Sequence, residues 1–196
     1  MENTRNDLRV FTGVAIFTAI VFVLQLVAVA IRTTFSVSLV LVPIVLGGAL
    51  YGPLAGCWLG LVFGAAVIVS GDANTFMLLN VGGTILTVLL KGMLAGLCSG
   101  LVYKALAKKN QYVAVLVAAI VCPVVNTGTF LIGCLLFFMD TIRAWAASKG
   151  MANVGTYMIV GLVGVNFIFE LILNVVLSPV ILRLIHEGKK TLELSR

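Results

Sequence analysis

The sequence predicts an all-α, polytopic membrane protein, a compact bundle of six transmembrane helices with the N- and C-termini in the cytoplasm. Three observations lead to this prediction. Hydrophobic residues make up 61% of the 196 residues, charged residues make up 10%, and the mean hydropathy is +1.19. A soluble chain of this length could not bury so much apolar surface, so most of it must face lipid. The apolar residues also fall into long stretches, and the basic residues cluster between alternate stretches.

Six apolar stretches follow one another in a single predicted transmembrane domain, residues 1–196. They cover approximately residues 9–31, 36–51, 53–70, 80–107, 112–139 and 156–185. A helix needs about 20 apolar residues to cross a bilayer, which makes six spans the economical count. The second and third stretches are short and meet at Tyr51, Gly52 and Pro53, where glycine suits a turn and proline suits the start of a helix. We therefore expect a tight helical hairpin there.

The Lys and Arg residues predict the orientation of the bundle. With a cytoplasmic N-terminus, Arg32, Arg143 and Lys149 fall outside, and Lys91 lies within the fourth stretch. Nine basic residues fall inside: Arg5, Arg9, Lys104, Lys108, Lys109, Arg183, Lys189, Lys190 and Arg196. Loops rich in Lys and Arg stay on the cytoplasmic side. Both termini are therefore predicted to be cytoplasmic, and the net charge of +6 suits the anionic inner leaflet, so it needs no nucleic acid partner.

Small residues at four-residue spacing predict close helix packing. Glycines repeat in this way in the third and fourth stretches, at Gly56, Gly60 and Gly64 and at Gly92, Gly96 and Gly100. Lipid supplies no hydrophobic force between helices, so small residues that let backbones approach provide the contact. Ala15 and Ala19 form a smaller version in the first stretch. This pair could pack within the bundle or dock against another protein, and spacing alone leaves both open.

One face of the last stretch carries two amides and a carboxylate in line. Asn166, Glu170 and Asn174 are four residues apart, so a helix places them on one side. An ionisable residue is costly in hydrocarbon and usually faces a bundle interior or a watery cavity. Lys91, near the middle of the fourth stretch, could pair with Glu170 or contact a ligand, and both stay open. The stripe predicts that the chain binds something polar.

Further polar residues lie at membrane depth or near its edge. Asn80 opens the fourth stretch, Arg143 stands at the outer end of the fifth, and Asn126 follows Pro123 by three residues. A proline inside a helix frees backbone carbonyls, so we expect the fifth helix to be kinked or locally open beside Asn126. That amide would line a cavity or bond to a neighbouring helix. Residues 70–75 form a polar turn sequence, and the apolar residues 76–79 after it could dip back into the membrane. We expect residues 72–79 to form a loop over a cavity.

The residue inventory argues against catalysis. The sequence has one histidine, His186, which lies among charged residues at the end of the last stretch. One histidine cannot form a multi-His metal site, and its position argues against a His-based nucleophilic site. No GxxxxGK[ST] sequence is present, so the chain does not hydrolyse ATP by that route. We predict no enzyme activity, no metal site and no cofactor in this chain. Concentrative transport would need an ion gradient or a partner.

Several short elements, taken in order, resemble a known family. They are a cationic N-terminus, the AxxxA element of Ala15 and Ala19, the stretch Leu41–Gly47 before the hairpin, Lys91-Gly92, and Asn126-Thr127-Gly128. With the six stretches and the chain length, they make the whole chain similar to the substrate-specific (S) component of an energy-coupling factor (ECF) vitamin transporter. The resemblance is nearest to the pantothenate, folate and cobalamin group.

The resemblance implies a bundle in the bacterial cytoplasmic membrane that captures a scarce vitamin from outside. Such components associate with a transmembrane coupling subunit and two ATPase subunits, which use the ATP. It also implies that Ala15 and Ala19 dock against the coupling subunit, and that the loops after the first and third stretches cover the vitamin site. Together with the polar residues described above, the predicted substrate-binding set is Asn80, Lys91, Asn126, Arg143, Asn166, Glu170 and Asn174.

Pantothenate is the favoured substrate, with folate, cobalamin and riboflavin left open. It is a small anion with hydroxyls and an amide, so Lys91 or Arg143 could take its carboxylate and the asparagines the rest. Metal uptake is not expected, because nickel and cobalt members carry an N-terminal Met-His element and this chain begins Met1-Glu2. Two other classes stay open. One is a stand-alone proton-coupled secondary transporter that uses Glu170 and Lys91; the other is a structural membrane protein whose polar residues only fasten helices.

Overall fold

The computed structural model describes residues 2–31 and 39–193. Every regular element within those two ranges is helical. The helices are α1 (Glu2–Ala30), α2 (Leu41–Tyr51), α3 (Pro53–Val69), α4 (Asn74–Met77), α5 (Val81–Leu106), α6 (Gln111–Phe137), α7 (Met139–Ser148), α8 (Val154–Thr156) and α9 (Val165–Glu193). A π-helical stretch, Tyr157–Gly164, joins α8 to α9. The all-α prediction is confirmed for this part of the chain.

The apolar helices make the chain a polytopic membrane protein with four to six spans. Four segments are long and apolar enough to cross a membrane: Leu8–Ala30, Val81–Leu106, Gln111–Phe137 and Val154–Gly188. The remaining two, α2 and α3, have 11 and 17 residues. At about 1.5 Å per residue, α2 is about 17 Å long, which is short of the roughly 30 Å hydrocarbon core. The predicted second span began at residue 36, and its first three residues, 36–38, lie outside the described residues.

The turn between α2 and α3 takes the predicted form. Gly52 adopts φ 98°, a conformation that residues with a Cβ atom rarely adopt, and Pro53 is the first residue of α3. The Gly52 amide donates to the carbonyl of Gly48 at 3.1 Å and closes the end of α2. Phe17 of α1 meets the ring of Tyr51 edge to face at 6.0 Å. The two short helices therefore form a tight pair that α1 packs against.

The two glycine ridges pack against each other. A Cβ atom at Gly60 would overlap the carbonyl of Gly92, and one at Gly56 would lie 2.5 Å from the carbonyl oxygen of Gly96. The backbones of α3 and α5 are therefore in direct contact, as small residues allow in a membrane. The predicted packing role of both ridges is confirmed. The bundle is built outward from this pair, with α6 against α5, and α9 against α6 and α2.

Close contacts fix which helix ends lie together. Gly13 of α1 lies against Tyr51, Gly100 of α5 lies against Pro53, and Gly188 of α9 lies against the end of α2. The start of α1, the α2–α3 turn and the ends of α5 and α9 therefore meet at one end of the bundle, which we call the terminal end. The end of α3 and the start of α5 lie at the opposite end. That the terminal end is cytoplasmic stays a prediction.

The chain after α6 departs from expectation. The predicted fifth span ran to residue 139, but α6 ends at Phe137 because Phe138 leaves helical geometry, with φ −131°. The following residues form a separate short helix, α7, which buries Ile142 and Ala146. Burial of these two apolar side chains holds α7 against the bundle. Arg143 consequently lies on α7 and not at the end of a span.

The π-helical stretch of the structure lies in the last span. α6 is continuous through Pro123 from Gln111 to Phe137, so the local opening expected beside Asn126 is not observed, while a kink there stays a prediction. Tyr157–Gly164 is π-helical instead, and it contains Gly161 and Gly164. Glycine weakens an α-helix by about 1 kcal/mol relative to alanine, which makes this stretch easier to distort. π-helical turns inside longer helices are frequent at functional sites.

Candidate functional site

A cavity of about 250 Å³ lies between α1, α3, α5, α6 and α9, in the half of the bundle away from the terminal end. Aromatic rings form much of its wall: Phe63, Phe76, Phe130, Phe138 and Phe167. Its polar and charged lining residues are Gln25, Asp72, Thr84, Thr87, Lys91, Asn126, Thr127, Asn166 and Glu170. Apolar walls with a small number of convergent polar groups are typical of small-molecule sites.

The segment between α3 and α5, residues 70–80, closes one side of the cavity. It contains α4, and the Phe76 ring at its centre lines the cavity. This ring meets three others edge to face, at centroid distances of 5.4, 5.0 and 5.9 Å: Phe130, Phe138 and Trp145. Each such pair contributes about 0.5–1.5 kcal/mol beyond the area it buries. Residues 72–79 thus lie over a cavity, as the sequence predicted.

A side-chain hydrogen bond ties this segment to α1. Nε2 of Gln25 donates to Oδ2 of Asp72 at 3.0 Å. Gln25 is 2% exposed, and both residues line the cavity. An unpaired buried amide would cost about 1–3 kcal/mol, so the bond favours the closed position of the segment. The second predicted cover, the loop after the first span, includes residues 32–38 and lies outside the described residues.

Lys91 brings a positive charge into the cavity from α5. Its Nζ atom lies 5.7 Å from the centre of the Phe63 ring and 5.3 Å from the centre of the Phe130 ring. Aromatic faces attract an ammonium group, which offsets part of the cost of taking it out of water. Within the described part of the chain, no carboxylate oxygen forms an ion pair with Nζ within 4.0 Å. The charge is held by rings and can meet an anionic group inside the cavity.

The last helix contributes the first two residues of the predicted stripe. Asn166 and Glu170 line the cavity one helical turn apart, on the same face as Phe167. Glu170 and Lys91 line the same space. Because no ion pair within 4.0 Å joins them in the part of the chain that the structure describes, they can bind different parts of one solute. This arrangement suits a molecule with both an anionic group and hydrogen-bond donors.

Three side chains on α5 and α6 show different hydrogen-bonding states. The Thr84 hydroxyl donates to the backbone carbonyl of Asn80 at 2.7 Å. Thr87 Oγ1 and Asn126 Oδ1 are buried and have no hydrogen-bond partner among the residues that the structure describes. Both of these residues line the cavity. Native structures leave few buried polar atoms without a hydrogen bond, so each of these two atoms calls for an explanation.

Three predicted site residues lie outside the cavity lining. Asn80 caps α5, with its side-chain oxygen accepting from a backbone amide of the first turn at 2.9 Å. Arg143 is exposed on α7 and pairs with Asp140 at 3.4 Å. Asn174 is fully buried one turn beyond Glu170, whose backbone carbonyl accepts from its Nδ2 at 2.9 Å. The cavity therefore brings together four of the seven predicted residues: Lys91, Asn126, Asn166 and Glu170.

Ala15 and Ala19 lie on the outer face of α1. Both are exposed, and so are their neighbours Phe11, at 73%, and Ile16, at 56%. The opposite side of α1 carries Gly13 and faces the α2–α3 hairpin. Within the described residues, this AxxxA face is thus not used for packing inside the bundle.

The sequence prediction left out Thr84, Thr87 and the aromatic wall. Thr84, Thr87 and Lys91 stand at positions i, i+3 and i+7 of α5, a spacing that places them on one helix face and could have identified them. The phenylalanines carried no comparable pattern, because an aromatic residue in an apolar span is equally expected on the lipid side. Only the three-dimensional arrangement separates the two cases.

Comparison with known proteins gives one family-model match, which covers most of the chain. A family model described as the substrate-specific component of ECF transporters matches residues 9–182. The matched region contains every residue that lines the cavity. A search of curated proteins returned no match, and neither did a search of solved structures. The chain therefore belongs to the substrate-specific components of ECF transporters, which are multi-pass proteins of the cell membrane that act in transport and are not enzymes.

Proposed function

We propose that this chain captures a compact water-soluble vitamin, with pantothenate as the first candidate. The family implies that it works with an ECF energy-coupling module. In this proposal the chain binds the vitamin without a cofactor, and a transmembrane coupling subunit with two ATPase subunits supplies the energy from ATP. The observation that carries the proposal is a charged cavity inside an otherwise apolar bundle. Ionisable groups at membrane depth usually mark the path of a solute.

The position of the cavity supports capture from outside the cell. The cavity is lined by the last turns of α1 and α3 and the first turns of α5, away from the terminal end. The excess of Lys and Arg at the terminal end favours its cytoplasmic placement. With that orientation the vitamin would enter from the outer side, beneath residues 70–80.

The size of the cavity favours a small solute. Pockets for drug-sized ligands commonly measure about 300–1,000 Å³. The volume of about 250 Å³ lies just below this range. A pantothenate-sized molecule is therefore a better candidate than folate or cobalamin, which are larger.

The chemistry of the cavity supports a carboxylate that also carries hydrogen-bond donors. Lys91 would bind the carboxylate, because Arg143 is paired with Asp140 outside the cavity. Glu170 and Asn166 would accept hydrogens from hydroxyl or amide groups. Pantothenate carries one carboxylate, two hydroxyls and an amide, and so offers a partner to each of these side chains.

We further propose the AxxxA face of α1 as the contact with the coupling subunit. Ala15 and Ala19 are exposed in the middle of a membrane-spanning helix. Small residues permit close approach of a second helix in lipid. The exposed apolar residues on both sides of the pair would enlarge that contact.

A thermal-shift screen tests the proposed function. The purified chain alone, in detergent, is heated with each water-soluble vitamin in turn, because a ligand that binds the folded state raises its melting temperature by mass action. A ligand at about 100 times its Kd adds about 2.7 kcal/mol of stability. We expect pantothenate, or one other compact vitamin, to raise the melting temperature in a saturable manner. Failure of every vitamin to do so would refute the proposal.

A stand-alone proton-coupled carrier is the second candidate, because Lys91 and Glu170 face the same cavity. The two functions differ in what drives uptake. Proteoliposomes that contain only this chain should accumulate the vitamin under a proton gradient if it is a carrier. In the proposed function they bind the vitamin but accumulate it only with the coupling subunit, the ATPase subunits and ATP.

A further inference from the structure

We propose that Phe130 is a positioning residue that links the closed state of residues 70–80 to recognition of the solute's carboxylate. The inference rests on the proposed function, since it assumes that the cavity binds an anionic solute. It adds a basis for selectivity to that site. A bound carboxylate and the closed segment stabilise each other, whereas a neutral analogue of similar shape lacks this effect.

The Phe130 ring has two contacts that belong to different parts of the site. Nζ of Lys91 lies 5.3 Å from its centre, and the Phe76 ring meets it edge to face, with the two centres 5.4 Å apart. All three residues line the cavity, and none of them is fully buried. Phe130 stands on α6, Lys91 on α5 and Phe76 on α4, within the segment that closes the cavity. One ring thus joins three separate elements at the cavity wall.

Two other phenylalanines have one of these contacts each. Phe63 lies at 5.7 Å from the Lys91 ammonium, and Phe138 meets Phe76 with the ring centres 5.0 Å apart. Within the part of the chain that the structure describes, Phe130 is the ring that has both contacts. A displacement of Phe76 therefore reaches the Lys91 ammonium through Phe130.

The rings keep the Lys91 ammonium available for a solute. Glu170 lines the same cavity and would attract the ammonium, yet no ion pair within 4.0 Å joins the two among the described residues. The ammonium lies at the two rings instead, because aromatic faces attract it. Without Phe130 it would be held less firmly and could turn to Glu170, whose carboxylate would replace that of the solute. A side chain that is already held also loses less freedom when it binds.

The contact with Phe76 makes this effect depend on the covering segment. Edge-to-face ring pairs are directional, so Phe76 orients the Phe130 ring while residues 70–80 are closed. When the segment opens, Phe130 loses that neighbour and holds Lys91 less firmly. Coupling between two binding events in one molecule is reciprocal. A carboxylate bound at Lys91 therefore stabilises the closed segment in turn.

The test uses pantothenate and panthenol, because panthenol has CH₂OH where pantothenate has its carboxylate. Calorimetry gives the Kd of both compounds for each purified chain. We expect the wild type to prefer pantothenate by about tenfold or more, and Phe130→Leu to reduce that preference about fivefold. Phe130→Tyr keeps an aromatic face and should retain the preference. Phe11→Leu is the control, at a 73% exposed position on α1 outside the cavity, and should match the wild type.

A double-mutant cycle tests the path from the covering segment. Phe76→Leu should also reduce the preference for pantothenate over panthenol, because its ring orients Phe130. In a Phe130→Leu chain the same substitution should reduce the preference no further, since the path is already interrupted. Equal effects of Phe76→Leu in both backgrounds would overturn the inference.

Amide hydrogen exchange on the wild-type chain provides a test that needs no variant. Saturating pantothenate should slow exchange in residues 70–80 more than saturating panthenol does. Equal slowing by both compounds, or an undiminished preference in Phe130→Leu, would overturn the inference while the proposed function stands. If the wild-type chain does not bind pantothenate, the first candidate of the proposed function fails and the inference fails with it.

Discussion

Lys91 illustrates how a single charge is kept inside an apolar bundle. The rings of Phe63 and Phe130 approach its ammonium group from two other helices, at 5.7 and 5.3 Å. The sequence revealed the lysine, because it interrupts an apolar stretch. It could not reveal the rings, because contacts between distant segments leave no trace in local spacing.

Replacement of Lys91 by methionine should weaken vitamin binding by tenfold or more. Methionine keeps the length and the apolar contacts of the stem but removes the charge. A hydrogen bond to a charged group contributes about 1.5–3 kcal/mol, which corresponds to roughly ten- to a hundredfold in Kd. The measurement is a calorimetric titration of the purified variant. Lys104→Met, at an exposed position near the end of α5, is the control and should bind normally. Normal binding by Lys91→Met would remove Lys91 from the site.

At the scale of helices, the contact between α3 and α5 sets the shape of the bundle. Its glycine spacing was readable, because every fourth residue of a helix lies on nearly the same face. The starts of α5 and α6 were also predicted to within one residue of Val81 and Gln111. In the structure an asparagine caps the start of each helix, Asn80 for α5 and Asn110 for α6.

Gly60→Val should destabilise the protein, whereas Gly128→Ala should not. A Cβ atom at Gly60 overlaps the carbonyl of Gly92, a backbone group that cannot move away without separating the helices. Overpacking of this kind costs about 1–3 kcal/mol. A Cβ atom at Gly128 meets nothing within 4 Å, and alanine favours a helix by about 1 kcal/mol over glycine. Thermal unfolding in detergent measures both. A Gly60→Val chain as stable as the wild type would contradict the packing described here.

The π-helical stretch and α7 could not be predicted from local patterns. Only Phe138 separates α6 from Met139–Ser148, and neither glycine nor proline marks the break between the two helices. Likewise, Tyr157–Gly164 is as apolar as the rest of its span. Which hydrogen bonds that span forms depends on packing against its neighbours, and propensity is a weak guide where packing decides.

Gln25→Leu should loosen residues 70–80. The substitution removes the amide that donates to Asp72 at 3.0 Å and leaves the rest of α1 unchanged. We expect faster amide hydrogen exchange in residues 70–80, and faster release of the vitamin. Thr18→Val is the control, because it removes a bond from α1 to Trp58 without touching this segment. If exchange in residues 70–80 stays as slow as in the wild type, the Gln25 bond does not hold the segment.

For the molecule as a whole, the exposed AxxxA face of α1 is the proposed contact with the coupling subunit. Ala15→Leu combined with Ala19→Leu should abolish vitamin uptake by cells while leaving the Kd of the purified chain unchanged. Larger side chains would hold a partner helix away from α1. Co-purification with the coupling module provides the second measurement. The control carries the same change at two exposed alanines of α7, Ala144→Leu and Ala147→Leu, and should support normal uptake. Loss of binding in the α1 variant would indicate misfolding instead.

The central claim is that this chain alone binds a vitamin in its cavity, and a calorimetric titration of the purified wild-type chain tests it most directly. The account predicts saturable binding of one compact, carboxylate-bearing vitamin per chain, in the absence of the coupling subunit, the ATPase subunits and ATP. Absence of saturable binding for every water-soluble vitamin, or binding that appears only when the partner subunits are present, would contradict it.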